Sequence, residues 1–176
     1  MKSSIKIKNE EVKLVDEEFI VSKTDLTGKI TYANRVFMEI CNYSESDLLN
    51  VQHNIIRHPD MPRGVFRFLW DTIKTGEEFF GFVKNLCADG RFYWVFANIT
   101  PEYNEDGKLI GYLSVRRKPS QEAIDTISPI YAEMLKIEQR ASSKKTAPDE
   151  SIAYLVKQLN NLKVDYQPFV LDLFNE

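Results

Sequence analysis

Between His53 and Pro62 the chain gathers more chemistry than anywhere else along its length: His53-Asn54-Ile55-Ile56-Arg57-His58-Pro59-Asp60-Met61-Pro62. A permanent cation, two imidazoles and a carboxylate lie together just ahead of an expected helix start. Helix N-termini present unpaired amides and a positive dipole end, which favour anions such as phosphate. Arg57 adds a planar fork suited to phosphate or carboxylate. The segment is therefore a candidate anion site, and a surface Arg57–Asp60 pair in a loop stiffened by two prolines accounts for the same residue types equally well. Phe66 and Trp70 stand four apart on the following helix and share a face, fit for a core or for a flat ligand. Asn85 in an apolar strand wants a partner if it points inward, and Arg116, late in another strand, raises the same question.

Nothing in this inventory builds an enzyme. No Ser-His-Asp set, phosphate-binding glycine loop or metal-type Cys or His spacing is visible, so no catalytic residue and no metal ligand is assigned. His58 and Asp60 could act as acid and base, but clustered titratable groups also arise structurally.

The elements that would position these residues follow from local signals. Residues 18–23 and 29–32 read as strands joined by Asp25-Leu26-Thr27-Gly28, with Gly28 free to take positive φ. Asn34 is a good N-cap for a helix carrying Val36, Phe37 and Ile40, and Ser44 with Asp47 starts another. Residues 62–75 form a longer helix, with Pro62 in its first turn and Gly76 at its C-terminus. Three strands follow, at about 78–87, 92–103 and 109–118, and both connections contain Asp-Gly, a strong hairpin signal. Strand parity puts Tyr93, Val95, Ala97 and Ile99 on one face and Phe92, Trp94, Phe96 and Asn98 on the other. Both faces are apolar enough to need covering, one by the helices and one by the N-terminal arm, the C-terminal helices or a second subunit.

Beyond Pro119 the pattern becomes helical: one helix from Ser120, a polar linker over 141–148, and a second helix from Asp149 with Ile152, Leu155, Leu159 and Leu162. The chain thus divides into an N-terminal cap or arm (1–17), an α+β domain (18–119) and a C-terminal helical extension (120–176). The fold class is one five-stranded antiparallel sheet with helices on one face, plus the C-terminal helices.

With 23 basic against 26 acidic residues, for a formal net charge of −3, a nucleic-acid surface is not expected. No apolar run approaches bilayer length and no signal peptide is visible, so the expected location is cytoplasmic, without direct membrane insertion. Cys41 and Cys87 read as two reduced thiols.

At this point the sequence is recognisable. Thr24-Asp25-Leu26, Ile30 to Asn34, Asn42-Tyr43-Ser44, the His53–Pro62 string, Leu69-Trp70, Val83-Lys84-Asn85, Asp89-Gly90, Tyr93-Trp94-Val95, Ala97-Asn98 and Gly111 to Arg116 resemble the PAS domain of bacterial aerotaxis receptors. The likeness runs from about Phe19 to Pro119. It implies a PAS fold, non-covalent FAD and a role in redox or energy sensing. Arg57, His58 and Asp60 match the motif associated with FAD; Asn34, Phe66, Trp70 and Asn85 also match; His53 and Arg116 complete the expected cofactor-binding set. The family's receptors carry a membrane anchor, a HAMP module and a kinase-control region in the same chain. Those parts are not in this sequence, so the resemblance implies a split system with a separate membrane-bound HAMP/methyl-accepting-type partner and association with the membrane through it. A homodimer is a further option. Two alternatives remain open: a haem-binding gas sensor using His58 or His53, and a cofactor-free interaction module. Flavin–cysteine photochemistry is not expected, because neither cysteine stands on the helix where light sensors of this class place theirs.

Overall fold

The computed structural model describes residues 5–175. Five strands, β1 (Ile20–Thr24), β2 (Ile30–Ala33), β3 (Phe79–Leu86), β4 (Phe92–Tyr103) and β5 (Leu109–Arg117), form one antiparallel sheet in the order β2-β1-β5-β4-β3. The order places the first and last strands side by side at the centre. The connections form locally: Gly28, Gly90 and Gly107 all sit at positive φ in their turns, where a side chain would be strained.

Between β2 and β3 lie α1 (Arg35–Cys41), α2 (Glu45–Leu48), a 3-10 turn (His53–Ile56) and α3 (Arg63–Lys74). Ser44 and Asp47 make a reciprocal capping box at the start of α2. These elements cover the face of the sheet that carries Tyr93, Val95 and Ala97, as parity requires.

Over β3 and β4 the other face is covered by two of the chain's own C-terminal helices, α4 (Gln121–Arg140) and α6 (Tyr166–Asn175), while α5 (Ala147–Leu162) packs on α4 and α3. The Tyr131 hydroxyl on α4 donates to the Phe82 carbonyl at 2.8 Å, and the Tyr131 ring stacks on Trp94. Phe174 on α6 stacks on Phe96 with centroids 4.2 Å apart. Two features of the C-terminal helices differ from the sequence expectation. Helix α5 starts at Ala147 rather than Asp149, because Pro148 suits a first turn and does not break the helix there. Helix α6 had no counterpart in the sequence reading, although it too takes a proline, Pro168, in its first turn.

The N-terminal arm is extended. Strand β5 ends opposite Phe96, leaving the start of β4 without a neighbour on that side, and the arm enters the gap. Lys8 N donates to Gly90 O, Phe92 N to Glu10 O and Val12 N to Phe92 O, at 2.7–3.0 Å. Leu14 is buried at its end.

Candidate functional site

A cavity of about 250 Å³ opens between α3, the 3-10 turn and the inner sheet face. Its walls are apolar: Phe66, Leu69, Trp70 and Ile73 from α3, Ile56 from the turn, and Val83, Ala97 and Ile99 from the sheet. The Trp70 ring packs edge-on against Tyr112, with centroids 5.6 Å apart. Gly28 lies so close to the indole that a Cβ there would come within 3.1 Å of it.

One end of the cavity is polar. Arg116 is 2% exposed, and no carboxylate among the described residues pairs with it. Its guanidinium lies 4.4 Å from the centroid of Phe37, donates to Ser22 Oγ through Nη2, and sits 3.4 Å from His53 Nε2 through Nη1. Its Nε has no partner. Burial pushes Arg116 down to about 10, so it remains a cation at neutral pH. Burial, and then the Arg116 charge, push His53 down to about 3, which keeps the imidazole neutral with Nε2 as an acceptor. Tyr93, cross-strand partner of Asn85, is buried behind the lining. Burial raises its pKa well above the usual range. An uncompensated buried cation with an orphaned donor is costly unless something else satisfies it.

The nine expected site residues separate into two groups. His53, Arg57, Phe66, Trp70, Asn85 and Arg116 line the cavity. Arg57 bridges to Asn85 through its backbone, stands over the Phe66 ring at 4.8 Å and donates to Met61 O at 3.1 Å. Asn34, His58 and Asp60 are not among the lining residues. Asn34 caps α1 at Phe37 N, accepts from Val21 N and donates to Phe19 O, tying β1 to the helix. His58 is buried against Phe92, with Nδ1 accepting from Asp60 N at 3.1 Å and Nε2 without a partner. Asp60 pairs with Lys84 at 2.6 Å. His58 and Asp60 thus brace the loop from behind while Arg57 faces the cavity.

The expected anion site at the start of α3 is filled from within the chain. Arg63 N and Gly64 N donate to the Glu138 carboxylate of α4 at 2.9 and 2.8 Å. Sequence reading gave Glu138 no role, since nothing local marks a contact 74 residues away. It also passed over Ser22, Gln52, Asn54, Tyr112 and Ser114; only their inward parity could have pointed to those in strands.

Haem ligation is not what this geometry favours. His53 Nε2 faces Ser22 Oγ at 3.3 Å and the Arg116 cation, and His58 lies outside the cavity lining. Both thiols are buried away from the lining, and burial raises Cys41 to about 11 and Cys87 to about 12, which keeps them protonated. Among the described residues there is no cluster of three or more His, Cys, Asp or Glu able to hold a metal, and no helix is long and apolar enough to cross a membrane.

Comparison with known proteins agrees with this architecture. Residues 30–116 match the family model described as the PAS fold. The light-state structure of the blue-light photoreceptor Aureochrome1 LOV superposes with a TM-score of 0.53 at 21% identity, over 72% of this chain and 93% of that one. A light-oxygen-voltage domain studied with a flavin analogue gives 0.53 at 23% identity, over 69% and 85%. These likenesses show the fold, and the chain carries a PAS sensor domain. More particularly, it belongs with the PAS domains of the aerotaxis receptor family: it is 42% identical to the Aerotaxis receptor of Escherichia coli over 118 residues, 67% of this chain and 23% of the receptor. It is 34% identical to the Nitrogen fixation regulatory protein of Klebsiella pneumoniae over 97 residues, 55% of this chain and 20% of that protein. The chain therefore matches under a quarter of the length of either relative.

Proposed function

We propose that the protein is an FAD-binding redox or energy sensor that signals to a separate membrane-bound partner of the HAMP/methyl-accepting type. The observation that carries the flavin reading is the polar end of the cavity, where Arg116 buries a charge that no carboxylate among the described residues meets and its Nε lacks a partner. A ligand with acceptor atoms or developing negative charge at one edge and a flat apolar body suits that arrangement. A flavin has both, and when bound supplies reversible electron uptake. Phe66 and Trp70 would wall the ring, Asn85 and Arg116 would meet its polar edge, and Arg57 would meet the anionic part of the dinucleotide at the mouth. The volume lies just under the usual range for whole-ligand pockets, which suits enclosure of the ring system rather than of the entire molecule. His58, Asp60 and Asn34 would support binding by holding the loop and β1 in place.

Similarity to an aerotaxis receptor supports the signalling part. Val21, Leu113 and Val115, on the outer sheet face, are only partly buried and leave apolar surface for a partner. The test is an absorption spectrum of freshly purified protein before and after dithionite. Flavin bands that bleach on reduction, with FAD released on denaturation, are expected. Protein that stays colourless after incubation with FAD would overturn the reading, and a Soret band would replace it with haem.

A further inference from the structure

Helix α3 has two masters. One face carries Phe66, Leu69, Trp70 and Ile73 into the cavity; the other is fastened to the C-terminal helices. Its N-cap position is Pro62, which has no side chain able to cap, so the first turn depends on a group from elsewhere. Glu138 supplies it, with one carboxylate oxygen on Arg63 N and the other on Gly64 N. The oxygen on Gly64 also accepts from Ser151 Oγ of α5 at 2.7 Å, so a single carboxylate joins three helices. Arg63 Nη1 donates to Lys144 O at 2.8 Å, and Arg67 pairs with Asp149 at 3.2 Å. Gly64 permits the close approach, because a Cβ there would lie 2.2 Å from Ser151 Oγ. Burial lowers the Arg57 pKa, and the Glu138 charge partly offsets that.

We propose that Glu138 is a latch, through which ligand state in the cavity sets how firmly the α4–α5 hairpin is docked on α3. This rests on the flavin reading above. Ligand-driven displacement of Phe66 or Trp70 moves α3, and a carboxylate holding two backbone amides and a hydroxyl at once tolerates little displacement before it lets go. Helix α4 continues from Glu138 back to Tyr131 on the far side of the sheet, so loosening the latch alters the cover of the outer face.

Hydrogen–deuterium exchange of the α5 amides tests the latch on the full chain, measured without flavin, with FAD, and with FAD after dithionite. In the unaltered protein, α5 exchange is expected to differ at least threefold between the oxidised and reduced flavin states. Glu138→Ala is expected to raise α5 exchange about tenfold and abolish that difference, while flavin absorbance is retained. Gly64→Ala, which leaves the carboxylate in place but pushes Ser151 away, should abolish it as well. Flavin that binds and reduces with unchanged α5 exchange, or a difference that survives both substitutions, overturns the latch and leaves the flavin reading intact. Failure to take up flavin at all overturns both.

Discussion

The two faces of strand β4 are built to opposite specifications. On the outer face, Trp94 and Phe96 meet Tyr131 and Phe174, and the Tyr131 hydroxyl finds the Phe82 carbonyl. That face is closed by the chain itself. On the inner face, Ala97 and Ile99 border open volume, and nearby Arg116 keeps its Nε unpartnered. The contrast separates stability from function: a core rewards complete satisfaction, whereas a binding site retains groups that are satisfied only by what it binds.

Substitutions on each face should therefore fail in different ways. Phe96→Ala is expected to cost the most stability, about 3–5 kcal/mol, as for other buried aromatics. Flavin content per folded molecule should be unchanged, which chemical denaturation combined with absorbance would establish; loss of flavin in the folded fraction would break the comparison. Arg116→Met should act in the opposite sense, lowering flavin affinity at least tenfold while the apo form gains about 1–4 kcal/mol by losing an unpaired buried charge. A less stable apo form would show that Arg116 is satisfied without a ligand.

The pH dependence sharpens the same point. His53 is depressed to about 3 in the folded chain against about 6.5 when unfolded, so between those values the unfolded state binds a proton that the folded state does not. Stability is thus fully present above about 6.5 and falls as pH drops towards 3, by at most about 1.4 kcal/mol per pH unit from this group. His53→Gln should flatten that slope in urea titrations at stepped pH. The smallest effect belongs to Tyr131→Phe, which leaves one buried carbonyl short of a partner and should cost about 1–2 kcal/mol, with no change in flavin spectrum.

What could be read from the sequence follows the reach of each signal. Asp89-Gly90 and Asp106-Gly107 fix their turns within a few residues, Asn34 caps the helix that follows it, and parity along β4 separates the faces correctly. Each is a local rule. The Arg57-His58-Pro59-Asp60 segment was conspicuous, yet which side chain faces the cavity was not legible, because a loop has no period to assign its sides. Arg57 turns towards Phe66 and His58 towards Phe92 only because β3 and β4 lie where they do. The N-terminus of α3 looked ready for a ligand anion for sound reasons, and the chain meets that demand with Glu138, a contact that exists only after α4 has docked.

The N-terminal arm has a consequence for the order in which the molecule assembles. Glu11 pairs with Phe92, about eighty residues further on, along the side of β4 that β5 does not reach. Closing so long a loop for a few backbone hydrogen bonds favours late docking. The arm is thus expected to join the sheet after its five strands have paired, as an edge added to a finished ladder.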